Sequence, residues 1–304
     1  MKFVLELPVD HVQEGKEFIG QEALVEMAQT AEKAGFDGVA VTDHPAPTGR
    51  WLDAGGHYAQ DPFVMLAMAG AVTKKIKLLT YLLVVPYRNP FLSARAVASL
   101  DVSTEGRVIL GVGAGYLKGE FKALGVDFDT RNERFDQNIE AMRAAWENDE
   151  FTFSGNGFEA LGNRILPRPL QKTVPMWIGG NSKEAIRRTV KYAQGWMPLV
   201  SLGSTGITQT ARTAAIPSFE ELADRLNYMK QYAAELGKTA PTDLIVTVYP
   251  SFTGEAGEES NFRERYDMFA KAGVTWAPIR AAGRTRKEWI ENAMRGGEII
   301  AKTR

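Results

Sequence analysis

The sequence predicts an α/β fold, a (β/α)8 TIM barrel with an inserted hairpin and loop regions, as a single domain over residues 1–304. Three observations carry the prediction. Apolar strand-like runs recur eight times along the chain, each followed by a helical pattern. Eight such units in 304 residues fit a closed barrel with insertions better than an open sheet. The stretch from Ile76 to Tyr116 shows the repeating unit: a β-type run, Pro86-Tyr87-Arg88-Asn89-Pro90, an amphipathic helix over Phe91–Leu100, a turn, then a second apolar run, Val108–Val112, leaving through Gly113-Ala114-Gly115. Strand–helix–strand connections of this length belong to parallel sheets. A doubly wound open sheet is the alternative.

The elements follow in order. Phe3–Pro8 reads as the first strand, and Gln21–Ala34 as a helix closed by Gly35. Gly38–Thr42 is the second strand, ending at Asp43-His44. Asp61-Pro62 opens the next helix, with Asp as N-cap and Pro at the first helical position. Lys77–Val84 and Arg107–Val112 are strands three and four, and helical patterns follow near Gly119–Leu124 and Glu133–Trp146. Phe151–Pro167 breaks the rhythm with a hairpin turning at Ser154–Gly157. Met176–Ile178 and Gly195–Leu199 are strands five and six, with a helix between them reaching Ala193. Ser204–Pro217 is a polar loop long enough to be a lid. Helix Ser218–Leu236, strand Leu244–Tyr249, helix Gly257–Lys271, strand Val274–Ile279 and helix Arg286–Ala301 complete the count.

Composition narrows the function. The 44% hydrophobic and 24% charged content is that of an ordinary globular protein. The absence of cysteine removes disulfides, thiolate catalysis and Cys-based metal sites together. A net charge of −1 with both signs interspersed carries no nucleic-acid footprint. The apolar run at Met1–Leu7 is too short for a signal peptide, and no stretch approaches the ~20 apolar residues of a membrane span. The expectation is a soluble, cytoplasmic protein acting on a small molecule, with neither nucleic acid nor membrane as partner.

In a barrel the site lies at the C-terminal ends of the strands. There His44, one of three histidines, is placed to act as acid or base, and Asp43 beside it is a candidate to set its tautomer, although neighbours on a strand point to opposite faces. Gly179-Gly180-Asn181-Ser182 joins a strand to a helix N-terminus, where bare amides and the helix dipole favour a phosphate; a tight turn with a Ser N-cap is the plain alternative. Gly113-Ala114-Gly115 follows the fourth strand and lacks the spacing of a dinucleotide loop, since position 116 is Tyr. Clearance for a flat ring against backbone accounts for it better. Trp51, Tyr58, Tyr81, Tyr87, Tyr116, Trp177, Trp196 and Tyr249, near the strand ends, can line a pocket for a planar cofactor and an apolar substrate, or simply fill core. No His/Asp/Glu cluster has metal-ligand spacing, and no G-x-S-x-G elbow occurs.

Several segments together resemble one family. Glu32–His44, Tyr87-Arg88-Asn89-Pro90 with Leu100-Asp101, Gly106–Gly115, Glu120 through Gly125, Arg131, Arg134, Glu140, Pro175–Ser182 and Ala193–Trp196 are similar, in order and spacing, to the bacterial-luciferase-like superfamily. Thr42-Asp43-His44-Pro45 and Pro86-Tyr87-Arg88 resemble its branch that uses coenzyme F420, a 5-deazaflavin. The resemblance implies hydride transfer between F420 and an organic substrate, with His44 as acid–base. FMN-dependent monooxygenation and a non-catalytic flavin-binding barrel are the alternatives. It further implies a non-prolyl cis peptide at Tyr81–Leu82 in a bulge backing the ring. Thr80–Leu82 and Gly113–Tyr116 would lie near that ring, and Gly179 and Gly180 near its phosphate. Trp177, Asn181 and Ser182 are taken with these as cofactor contacts, and Trp51 and Tyr58 as substrate contacts. Tyr116 stands where sugar-phosphate dehydrogenases of this branch carry Glu, so their substrate is not expected here. A homodimer is expected, through helices following strands two to four.

Overall fold

The computed structural model describes residues 1–202 and 213–304. Its strands are β1 (Lys2–Glu6), β2 (Gly38–Val41), β3 (Lys77–Val84), β4 (Val108–Gly113), β5 (Phe151–Gly155), β6 (Phe158–Asn163), β7 (Met176–Gly179), β8 (Gly195–Met197), β9 (Asp243–Leu244), β10 (Ser251–Phe252) and β11 (Trp276–Ala281). Its helices are α1 (Gln21–Lys33), α2 (Gly49–Asp53), α3 (Pro62–Val72), α4 (Pro90–Ser103), α5 (Lys118–Ala123), α6 (Arg131–Glu147), α7 (Lys183–Tyr192), α8 (Phe219–Glu235), α9 (Glu258–Lys271) and α10 (Arg286–Thr303).

One parallel sheet runs β10-β11-β1-β2-β3-β4-β7-β8-β9. It closes on itself. Ile245 N–H donates to Trp196 O on one side of β9, while Thr275 N–H donates to Leu244 O and Val246 N–H to Trp276 O on the other. A doubly wound sheet would leave β9 as an edge, so the barrel reading holds. The seventh strand differs from its expected span. It breaks into β9 and β10, both alongside β11, and Pro250, which has no N–H to donate, lies in the gap.

The inside of the barrel is built from Val4, Ala40, Leu79, Ile109, Trp177, Met197, Ile245 and Trp276, one side chain from each barrel strand. Tyr81 and Leu82 pack on this layer. The alternate strand residues, such as Phe3, Leu5, Leu78, Leu110, Met176 and Ile178, face the helices. Fully buried strands therefore read as continuous apolar runs. Gly111 allows the tightest approach within the sheet, since a Cβ there would stand 2.1 Å from Thr80 O.

Helix starts follow local chemistry. Asp61 accepts from Phe63 N (2.9 Å) and Val64 N (3.1 Å) with Pro62 in the first turn, and Asn89 with Pro90 repeats the device. Thr285 and Glu288 form a capping box on α10. The expected hairpin is β5–β6, antiparallel, turning through Gly157 at φ +84°. The 46–60 loop holds a short helix, α2, capped by Thr48.

Candidate functional site

At the C-terminal mouth, β3 and β4 lose register between Thr80 and Leu83, and the Tyr81–Leu82 peptide in this bulge is cis. Thr80 is buried and donates through Oγ1 to Gly111 O at 2.8 Å, so it holds the bulge and presents no polar group to the mouth. Tyr81 hydrogen-bonds Thr247 Oγ1 at 3.4 Å, and burial, then the Glu6 charge, pushes its phenol up to about 12. Leu82 lies between two glycines. A Cβ on Gly113 would come within 2.6 Å of its side chain, and one on Gly179 within 2.4 Å. The clearance expected for a ring is thus occupied by Leu82. Gly115, at φ +77°, turns the chain against Val84 and Phe121, with Ala114 beside it half-buried.

His44 leaves β2 into a nest of rings. Trp51 lies 4.7 Å away, His57 4.8 Å and Tyr116 6.2 Å between centroids. His57 Nδ1 lies 2.9 Å from Tyr58 O, and burial together with its neighbour His44 holds its imidazole below the ordinary range. The Trp51 indole N–H is buried with no partner among the described residues. Tyr116 is pushed up to about 12 by burial and by Glu120, so it remains a phenol at neutral pH.

The group on His44 Nδ1 is Glu120, at 3.2 Å, not Asp43. Glu120 lies on α5 and is fully buried. It also accepts from Tyr87 OH at 2.8 Å and from Ala46 N at 3.2 Å. Burial and the hydrogen bond to Glu120 raise the Tyr87 phenol far above its usual range. Asp43 turns the other way. It takes both arms of Arg88 (2.6 and 2.9 Å) and Val84 N (3.0 Å), with Asp61 3.6 Å from the same guanidinium. Strand alternation sends these neighbours apart, so Asp43 fastens the bulge instead of orienting the imidazole.

Four further residues expected at the site have these surroundings. Trp177 is 1% exposed inside the barrel, its ring 5.0 Å from Trp276 and its N–H on Asp243 at 3.1 Å, so it fills core away from the mouth. Tyr58, expected as a substrate contact, is exposed, and it is His57, one residue earlier, whose ring meets His44. Asn181 is buried and spends its side chain on the backbone of Leu199 and Ala214. Ser182 takes the plainer role, capping α7 through Ala185 N at 3.1 Å. Gly180 sits at φ +119° with its N–H on Met197 O. Of the loop expected to act as a lid, residues 203–212 lie outside the described residues. Glu120 and His57 are the site groups that sequence reading did not assign.

A cleft lined by Glu6, Asp10, His11, Thr42, Tyr81 and Arg280 opens at the exits of β1, β2, β3 and β11. Arg280 is paired to Glu6 at 2.8 Å. No group of three metal-ligating side chains occurs among the described residues, and no described helix is long and apolar enough to cross a membrane. The residues fit a planar ring cofactor: a floor of Tyr81 and Leu82, walls of aromatic rings, and an unpartnered indole donor.

A parallel barrel with a carboxylate-backed histidine and aromatic walls at its strand ends has the general form of a small-molecule site at a barrel mouth. The chain belongs to the luciferase-like monooxygenase family, whose model matches residues 1–295. It is 33% identical over 185 residues to an F420-dependent glucose-6-phosphate dehydrogenase of Microbacterium testaceum, covering 60% of this chain and 53% of that protein. It is 30% identical over 173 residues to an FMNH2-dependent dimethylsulfone monooxygenase of Pseudomonas putida, covering 56% of this chain and 46% of that protein. The monooxygenase RslO1 of Streptomyces bottropensis shares the fold at a TM-score of 0.80 and 20% identity, covering 100% of this chain and 98% of that one. The family thus includes F420- and FMN-dependent enzymes.

Proposed function

We propose that the protein is an oxidoreductase moving a hydride between coenzyme F420 and a small organic substrate, with His44 as the acid–base. The observation that carries the reading is the His44 environment: an imidazole backed by a buried carboxylate and open toward rings at the barrel mouth. The deazaflavin supplies hydride chemistry. The chain supplies the floor at Tyr81–Leu82, the walls Trp51, His57 and Tyr116, and a proton-transfer group at His44. The cofactor's phosphate is placed in this reading at the N-terminus of α7, beside Gly179 and Gly180, where the helix dipole favours an anion. His44→Ala is expected to lower turnover at least about tenfold while cofactor binding is kept. Full turnover in that variant removes the role.

FMN-dependent monooxygenation is the second reading, favoured by the sulfone monooxygenase relative. Titration of apo-protein with F420 and with FMN, followed by tryptophan quenching, separates the two; tighter FMN binding reverses the ranking. We further propose a homodimer through α3 and α4. Helix α3 carries no charged residue, yet leaves Val64 53% exposed, and α4 beside it leaves Leu92 59% exposed. An apolar helix face in water asks for cover. Light scattering at micromolar concentration tests it; a monomer refutes it.

A further inference from the structure

We infer that Glu120 is the positioning residue of the site, holding His44 as the Nδ1–H tautomer so that the free Nε2 faces the substrate as a base. The inference rests on the reading of His44 as the proton-transfer group, and it concerns a residue to which that reading assigns no part.

The argument is geometric. Glu120 is fully buried, and three donors converge on its carboxylate: His44 Nδ1 on Oε2 at 3.2 Å, Tyr87 OH on Oε2 at 2.8 Å, and Ala46 N–H on Oε1 at 3.2 Å. The backbone amide can only donate. The Tyr87 phenol is held protonated by burial and by Glu120, so it donates as well. A carboxylate meeting donors on both oxygens is an acceptor, and an acceptor opposite Nδ1 requires the proton there. Nε2 has no hydrogen-bond partner among the described residues. The imidazole therefore presents a lone pair to the mouth. When Nε2 takes a proton from a substrate hydroxyl, the O–H bond breaks toward the ring, and the positive charge that arrives is met by Glu120 on the far side. Ala46 matters too, because its amide anchors Glu120 to the segment that follows His44 directly.

The other polar groups around the imidazole do not duplicate this. His57 meets it edge-on from the loop after α2, carrying the influence of Asp10 and Arg280, and Tyr116 approaches from the β4–α5 turn with a protonated phenol. Asp43, behind the strand, is engaged by Arg88.

The test is a long-range 1H–15N spectrum of the three histidines, with His44 assigned by difference against H44Q. Wild-type protein is expected to show His44 protonated at Nδ1 only. In E120Q the Nε2–H form should rise to a major population. E120D, which keeps the carboxylate, should restore the Nδ1–H form toward wild type. A wild-type Nε2–H tautomer overturns the inference with no variant needed, so misfolding of E120Q cannot shelter it. An unchanged ring tautomer in folded E120Q overturns it as well. The ring readout needs no cofactor, so a failure of F420 turnover would count against the proposed function and leave this result standing.

Discussion

Leu82 offers a direct test of how the mouth is shaped. A methyl on Gly179 would stand 2.4 Å from Leu82 Cδ2. Carbon atoms in contact sit about 3.5–4.0 Å apart, so Leu82 must yield by about 1 Å. The atom in the way is the far end of a half-buried side chain, which rotates more cheaply than backbone moves. Overpacking costs about 1–3 kcal/mol, and a residue at an open mouth belongs at the low end. The interior layer lies beneath Leu82, so its methyls swing outward, into the space a planar ring would take. Gly179→Ala is therefore expected to fold, to lose about 1 kcal/mol in urea titration, and to weaken cofactor binding at least about tenfold, equivalent to about 1.4 kcal/mol. The double variant G179A/L82A removes the displaced group and should recover most of that binding. Gly111→Ala is the contrast: its Cβ would meet the Thr80 carbonyl oxygen at 2.1 Å, which no rotamer relieves, so that variant should not fold stably. Tryptophan quenching by the cofactor reads the binding arm. Wild-type affinity in G179A, or a double variant as weak as the single, refutes the account.

Other consequences follow from the same packing. Arg88→Ala strands the 2%-exposed Asp43 carboxylate, and losing one partner of a buried pair costs about 3–5 kcal/mol; R88A/D43N, which removes the charge as well, should be the more stable of the two in urea, and equal stabilities refute the pairing. For Glu32, burial works to raise the carboxyl, but the amides of Lys75, Lys74 and Ile76 outweigh it and hold the group below its usual 4.5. A depressed folded value stabilises above about pH 4.5 and is lost as pH falls through it, so E32Q should flatten stability between neutral and acid pH; an unchanged slope argues against the three-amide clasp. With Tyr116 pushed up to about 12, Y116F should leave any alkaline limb of turnover below about pH 10 in place, and loss of that limb would assign it to Tyr116.

The sequence was informative where one residue's neighbours in the chain decide the outcome. Asp61-Pro62 caps its helix with the two amides next to it, and apolar runs bounded by turns marked all eight barrel strands. The divergence of Asp43 and His44 was legible in strand alternation alone. What could not be read is set by side chains distant in the chain. Glu120 lies 76 residues from His44 and stands in a stretch that reads as ordinary amphipathic helix. Trp177 illustrates a second limit. Both faces of a barrel strand are buried, so Met176, Trp177 and Ile178 carry no polar alternation to say which of them points inward. His57 and Tyr58 differ by one position on a loop, where no period applies at all.

The glycines mark the boundary between the two cases. Gly113 and Gly179 announced a close approach, because a missing Cβ at a strand exit leaves room for something. They did not announce what approaches. The visitor is Leu82, from the bulge of β3. A glycine records the need for space and leaves its occupant to the tertiary fold. That is why the G179A/L82A pair, which moves the occupant and then removes it, tests the site more sharply than either glycine substitution alone.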